Sequence, residues 1–403
     1  MNSRTASESV ILSAVRTAIG KFQGGLTQIP APRLGAIVVR AAAERAGIQD
    51  LAQIDEVLMG NVVQAGVGQA PARQAAIFAG LPDTVCATTV NKVCGSGLKT
   101  IMFAAQAVRA GDGELFIAGG MENMSRAPYL VDGRTGTLRY GNAQLTDSLL
   151  NDGLWDPFEN WGMGSAAEFI AEEYEVTRAA MDQYAFESHR KAVVAIDAGK
   201  FKNEIIPVEI TDHKGEKNYL VNDEGPRRDT SLEALAKLKP AFLANGKVTA
   251  GNSPGLNDGA AAVVVASQVR AKALGIRPIA RIIGYNQVAV APKYLFDAPS
   301  KAIPKLLKKI GWSLKQVDLI ELNEAFAAQI LANGFAMADL GWDWDKVNVN
   351  GGAIALGHPI GATGARVLTT LIYALLDRGL KRGIACMCLG GAEAVAMAIE
   401  IED

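Results

Sequence analysis

Cysteine and histidine are both scarce in this chain, with four of the first and three of the second among 403 residues. Four cysteines cannot staple a chain of this length, which excludes a disulfide framework and favours reduced thiols. Neither sign of charge is in excess: 40 Lys+Arg stand against 42 Asp+Glu, a net charge of −2. Without a basic block there is no electrostatic footprint for nucleic acid. No run of about 18 uninterrupted apolar residues occurs, so no membrane span is expected. The opening MNSRTASES lacks the apolar stretch of a secretory signal, and the closing AIEIED carries no retention or peroxisomal tripeptide. These features predict a cytoplasmic protein, with the mitochondrial matrix left open as an alternative.

What is present is ordinary globular material: 49% hydrophobic, 20% charged, and 42 glycines. That is enough for two or three domains or one large duplicated unit. The first stretch alternates strand and helix. ESVILSAVRT reads as a strand, Leu34 to Ala46 as a helix ended at Gly47, and Ile54 to Met59 as a second strand. Gly97 to Ala110 reads as an Ala-rich helix, and Glu114 to Ala118 as a strand running into a Gly119-Gly120 turn. The final third repeats the order: Ala280 to Ile283, Ala302 to Ile310, Val317 to Leu322, Gly364 to Leu376, then Gly383 to Cys388 before Gly390-Gly391. Alternation of this kind predicts an α/β fold with a mostly parallel sheet covered on both faces. Gln53-Ile54-Asp55 recurs as Gln316-Val317-Asp318, and Gly119-Gly120-Met121-Glu122 as Gly390-Gly391-Ala392-Glu393, which suggests a duplication. Between the copies, roughly 125–255, turn clusters, the aromatic run LWDPFENWGMG and two amphipathic helices suggest a cover over a ligand site or an oligomer contact.

Four segments carry chemistry. Cys94 in VNKVCGSGLKT stands at a helix start, where free N–H groups and the dipole favour thiolate; alone, such a Cys-Gly is more often structural. His358 lies in the Gly-rich run GGAIALGHPIGATGAR, which has no dinucleotide or phosphate-loop spacing. Asn323, in LNEAFAAQ, closes a strand and could orient a water or cap a helix. Cys386 and Cys388 share a strand face, and with no second cysteine pair a zinc site is not expected. Two cysteines, a histidine and an asparagine beside flexible glycines are the kind of set covalent acyl transfer needs.

These segments, with GGMENMSRAPY, AGNSPGLNDGAAA and the C-x-GG near the end, resemble the thiolases from about Val10 to Ala398. The segment DGRTGTLRYGNAQLTDSLLNDGLWDPF resembles the tetramerisation loop of short-chain acetyl-CoA acetyltransferases. The resemblance implies two βαβαβαββ halves in a layered α-β-α-β-α core, with an inserted loop domain. The halves would span 1–124, completed by 256–275, and 276–403, with the loop domain at 125–255. It implies Cys94 as acyl acceptor, His358 as its activator, Cys388 as acid/base, and Asn323 as holder of a catalytic water. The backbone N–H groups of Cys94 and Gly390 would form one oxyanion hole, and His358 with the water the other.

Coenzyme A and acetyl-CoA enter as substrates, with no permanently bound cofactor and no metal. Leu154, Met163, Arg227, Phe242, Ala250, Gly255 and Phe326 are the expected CoA contacts, with Arg227 and Arg228 as charge partners for the nucleotide end. The expected assembly is a homotetramer, a dimer of dimers, with no nucleic acid or membrane partner. The alternatives weighed are a degradative 3-ketoacyl-CoA thiolase of longer chain range and a non-catalytic CoA-ester-binding protein of the same fold. Four positions depart from the family pattern. Pro254 replaces a serine, Gly162 a histidine, and Ala392 a glycine, while Phe296-Asp297-Ala298-Pro299 replaces a G-x-G-P segment. The last predicts a substrate preference that is not simply acetoacetyl-CoA.

Overall fold

The computed structural model describes residues 8–135, 138–211 and 215–402. Gly136 and Thr137, within the segment that resembles a tetramerisation loop, lie outside them. The first half runs β1 (Ser9–Thr17), α1 (Ala31–Ala46), β2 (Glu56–Gly60), α2 (Pro71–Phe78), β3 (Cys86–Val90), α3 (Ser96–Ala110) and β4 (Leu115–Asn123). After the insertion with α4 (Met163–Glu173) and α5 (Arg178–Asp197), β5 (Asn257–Ser267) completes it. The second half runs β6 (Ala280–Ala289), α6 (Ala298–Ile310), β7 (Leu319–Leu322), α7 (Ala327–Ala336), α8 (Thr363–Arg378), β8 (Arg382–Leu389) and β9 (Glu393–Ile401). Its third strand is reduced to a single parallel bridge between Ile320 and Val347.

Local chemistry explains the elements that periodicity predicted. Helix α1 begins with a proline in its first turn, buries Leu34, Val38, Val39 and Ala42 along one face, and ends at Gly47 with φ +77°. Proline costs nothing where the helical N–H has no partner, and glycine takes the left-handed cap without penalty. Each buried Leu or Val on that stripe contributes roughly 1.5–3 kcal/mol.

The strands hydrogen-bond in the order β7-β8-β9-β6-β1-β5-β4-β2-β3. Only the outer pairs β7/β8, β4/β2 and β2/β3 are parallel. The centre, from β8 through β4, is antiparallel. The expectation of a mostly parallel sheet is therefore corrected: in each half the last strand lies antiparallel between the first strand and the strand that precedes it. Helices α3 and α8 form the middle layer, where Leu98, Ile101 and Met102 meet Leu368, Leu371 and Leu375 between two sheet faces. Helices α1 and α2 cover one outer face, α6 and α7 the other, giving the layered α-β-α-β-α arrangement.

One of the two sequence repeats is a true equivalence. Asp55 accepts backbone N–H groups from Glu114 and Leu115, and Asp318 does the same for Lys381 and Arg382. That pairing sets β4 against β8 at an offset of 267, from 115 to 382, so Gly119 corresponds to position 386. The Gly119-Gly120 and Gly390-Gly391 match is thus not structural. Gly119 and Gly120 lie inside β4, whereas Gly390 and Gly391 turn the chain from β8 into β9.

The two functional loops meet because α3 and α8 start side by side. A Cβ on Gly364 would lie 2.3 Å from the Leu98 nitrogen, and one on Gly97 would lie 2.9 Å from the Ala365 nitrogen. Only glycine permits that approach. It carries the residues preceding each helix, Cys94 and His358, to one place.

Candidate active site

The nucleophile turn runs from the end of β3 into α3. Gly95 and Ser96 donate backbone bonds to the Lys92 and Val93 carbonyls at 3.1 Å, and the Ser96 hydroxyl donates to Val93 O at 2.6 Å. Val93 is held at φ +45°, a left-handed geometry that a β-branched residue adopts only under constraint. Its consequence is that Cys94 points into a cavity that Gly390 also lines.

The thiol is not the thiolate that a helix start alone would favour. Burial pushes Cys94 up to about 11, opposed by the Gly390 and Cys94 N–H groups and reinforced by Glu122. Desolvation outweighs the dipole here and favours the neutral thiol.

His358 lines the same cavity. Its backbone N–H donates to Asn257 Oδ1 at 2.8 Å, and its Nδ1 lies 2.7 Å from Thr363 Oγ1. The Thr363 hydroxyl spends its own proton on Pro359 O at 2.8 Å. The network therefore assigns the ring proton to Nδ1 and leaves Nε2 as an acceptor. Burial, with the nearby positive charge of Arg366, pushes His358 down to about 3.

Cys388, the penultimate residue of β8, is 2% exposed and is held well above the ordinary thiol range by burial and then by Cys94. Cys386 shares its sheet face but packs deeper, against Ile384 and Ala396. Asn323 follows β7, is 1% exposed, and has no protein partner for either side-chain polar atom. A buried carboxamide with four unused hydrogen-bonding positions calls for water or a ligand.

Cys94, His358, Cys388 and Gly390 line one cavity of about 340 Å³. Five expected CoA contacts, Leu154, Met163, Phe242, Gly255 and Phe326, line it as well. Arg227 and Ala250 do not; both are exposed. Arg227 donates its backbone N–H to His189, while Arg228 is engaged by Asp197 in two bonds. Three of the departing residues, Pro254, Gly162 and Phe296, also line the cavity, whereas Ala392 does not. Pro254 and Gly162 line the wall, and the neighbouring Ser253 hydroxyl is already given to Thr249 O. Phe296 lines the same cavity, 3% exposed and edge-on to Phe326 at 5.4 Å. Asp297 is occupied by Tyr174 at 2.7 Å, Ser300 at 2.5 Å and Lys301 at 3.1 Å. Among the described residues no group of three or more His, Cys, Asp or Glu could hold a metal ion.

Sequence reasoning assigned no bracing role to two carboxylates that hold these loops. Glu122 accepts N–H groups from Val62, Val63 and Gly361 and the Asn61 amide, bolting the histidine loop to the first half. Glu324 accepts from Tyr184, Ser188, Asn348 and the Ile354 N–H, tying the start of that loop to α5. Their only signal was an acid in an apolar stretch, which does not reveal its partners.

Two buried histidines should make the protein acid-sensitive. His358 and His189 are pushed down to about 3 and about 4, in both cases chiefly by burial. Unfolded rings take up protons near pH 6.5, so between pH 6.5 and 4 the unfolded state binds more protons and stability falls as pH falls. The expected slope is up to roughly 1.4 kcal/mol per pH unit for each ring. Urea unfolding at pH 7 and 4.5 measures it, and a His189→Gln variant should show a shallower slope. An identical slope would mean that the native ring is already protonated.

Residues 9–269 match the thiolase N-terminal domain and residues 276–401 the thiolase C-terminal domain. The chain is 54% identical over 390 residues to an acetyl-CoA acetyltransferase of Pseudomonas aeruginosa, covering 97% of this chain and 98% of that one. It is 52% identical over 391 residues to one of Cupriavidus necator, at the same coverages. The crystal structure of the Bacillus anthracis acetyl-CoA acetyltransferase superposes with a TM-score of 0.95 at 42% identity, over 99% of this chain and 100% of that one. With both domains matched in order and relatives alike over nearly full length, the chain belongs to the thiolase family.

Proposed function

We propose that this thiolase is an acetyl-CoA C-acetyltransferase that makes or cleaves acetoacetyl-CoA through an acetyl thioester on Cys94. The supporting observation is the convergence of Cys94, His358, Cys388 and Gly390 on one cavity. His358 Nε2 takes the Cys94 proton, and the sulfur attacks the thioester carbon of acetyl-CoA. The oxyanion forms against the N–H groups of Cys94 and Gly390. Cys388 gives its proton to the departing CoA sulfur, which leaves His358 protonated and Cys388 as thiolate. With a second acetyl-CoA bound, Cys388 removes the α-proton. His358 Nε2–H and a water on Asn323 receive the enolate oxygen, and the enolate carbon attacks the acetyl group. Cys94 leaves as thiolate and recovers its proton from His358. Protons balance over the cycle, and thiolysis is the reverse.

In this reading CoA lies along Leu154, Met163, Phe242, Gly255 and Phe326, with Arg227 and Ala250 reached at the exposed mouth. The halves act as domains at 1–124 with 256–275 and at 276–403, and 125–255 covers the site. The insertion also exposes Tyr129, Leu138, Tyr140, Leu145 and Phe158, which supports the homotetramer. Light scattering showing a monomer or dimer would remove that part. No helix among the described residues is long and apolar enough to cross a membrane, and we retain the cytoplasm as the proposed compartment.

Thiolysis of 3-ketoacyl-CoA esters of rising chain length, with Cys94→Ala as control, tests the function. Activity concentrated on acetoacetyl-CoA supports it, a rise with length moves the enzyme to degradation, and silence removes catalysis. The Phe296 ring adds bulk inside the cavity, so the altered segment should narrow the acyl range toward acetoacetyl-CoA, the reverse of the preference the sequence suggested. Phe296→Ala is expected to raise the six-carbon to four-carbon ratio of kcat/KM about tenfold, the scale of one or two methylenes in an apolar pocket. An unchanged ratio would take Phe296 out of chain selection.

A further inference from the structure

Cys94 and Gly390 come from different halves, and nothing in either turn alone fixes the distance between them. The two turns touch at three places. Val93 packs against Gly390, where a Cβ would lie 3.0 Å from Val93 Cγ1. Gly95 packs against Leu389, where a Cβ would lie 2.5 Å from Cδ2. The third contact is polar: Lys92 Nζ and Glu393 Oε2 lie 2.5 Å apart across 301 residues of sequence, with side chains 19% and 31% exposed. Lys92 stands two residues before the nucleophile and Glu393 three after Gly390. Between each charge and its functional atom lies backbone in left-handed geometry, Val93 at φ +45° on one side and Gly391 at +76° with Ala392 at +62° on the other.

We infer that the Lys92–Glu393 ion pair is a positioning clamp that sets the Gly390 N–H against the Cys94 sulfur. This rests on the acetyl-transfer reading above. A partly exposed ion pair adds little to global stability, but a tie between two strained turns controls where they come to rest. Lys99, 9% exposed, also faces the pair while bonding Gln287 at 3.2 Å. Loss of Glu393 would leave two ammonium groups facing each other, and loss of Lys92 would give Glu393 to Lys99 and draw the hairpin off the nucleophile turn. A misplaced donor weakens the oxyanion hole without touching the CoA contacts, so the effect belongs in kcat rather than KM.

The test follows Cys94 acetylation by acetyl-CoA with mass spectrometry, together with steady-state thiolysis and thermal melting. The proteins are wild type, Lys92→Met, Glu393→Gln, the double variant and Lys92→Arg. Each single change should lower the acetylation rate and kcat about tenfold, with KM for CoA within twofold. The double variant should be no slower than the worse single, because the interaction is lost only once. Lys92→Arg, which keeps the bridge, should recover to within threefold of wild type. The clamp is overturned if single variants keep kcat within twofold, if the double is slower by the product of the singles, or if KM carries the loss. It is overturned too if Lys92→Arg melts like wild type yet is as slow as Lys92→Met. A wild type that takes up no acetyl group refutes the proposed activity and the clamp with it; one that does makes the variant ratios a test of the clamp alone.

Discussion

Cys388→Ala is expected to separate the two half-reactions. Transfer of acetyl from acetyl-CoA to Cys94 should continue at a reduced rate, because a CoA thiolate can depart without a general acid. Carbon–carbon bond formation should fall about 10⁴-fold, the upper range for loss of a general base. The physical difference is acidity: a thiol ionises near neutral pH, whereas an α-proton beside a thioester needs a base in contact and a stabilised enolate. Cys388 fits that role, being 2% exposed, lining the cavity with Cys94, and held in thiol form by its surroundings. Mass spectrometry should find acetyl-Cys94 accumulating in the variant, with no acetoacetyl-CoA formed. Equal loss of both steps would make Cys388 a packing residue of the nucleophile and transfer the base to another group.

The second large effect is expected far from any reacting atom. Gly120→Ala should destabilise the protein by about 3 kcal/mol or more and lower kcat at least tenfold in the fraction that folds. Gly120 lies inside β4, and a Cβ there would stand 2.0 Å from the carbonyl oxygen of Gly361. That contact is backbone against backbone, so no rotamer relieves it. Gly361 is pinned by Glu122 at 2.9 Å and lies three residues after His358, so whatever moves it moves the base. Denaturant unfolding gives the stability and thiolysis the rate. Wild-type activity in Gly120→Ala would show that the strand does not set the histidine loop.

The sequence determined a good deal by itself. The helices α1, α3, α6 and α8 follow from apolar periodicity and from glycines at their ends, because propensity and capping act within a few residues. Cys94, His358 and Cys388 stood out because cysteine and histidine are rare here and these three lie near glycines, and Asn323 because it closes a strand. Asp55 and Asp318 marked the duplication because each closes the same local turn in its half.

Other matters were decided only by the tertiary structure. The antiparallel centre depends on β5 and β9 returning beside β1 and β6, a long-range choice that alternation of strand and helix does not encode. The repeat at Gly119-Gly120 and Gly390-Gly391 looked equivalent, but ladder register assigns one pair to a strand interior and the other to a turn. Cys94 has the helix start that lowers a thiol, yet it is pushed up to about 11 because segments hundreds of residues away remove its water. The braces at Glu122 and Glu324 and the Lys92–Glu393 bridge all join distant segments. Local sequence carries propensity and chemistry; desolvation, register and partner choice are set by which distant surfaces meet.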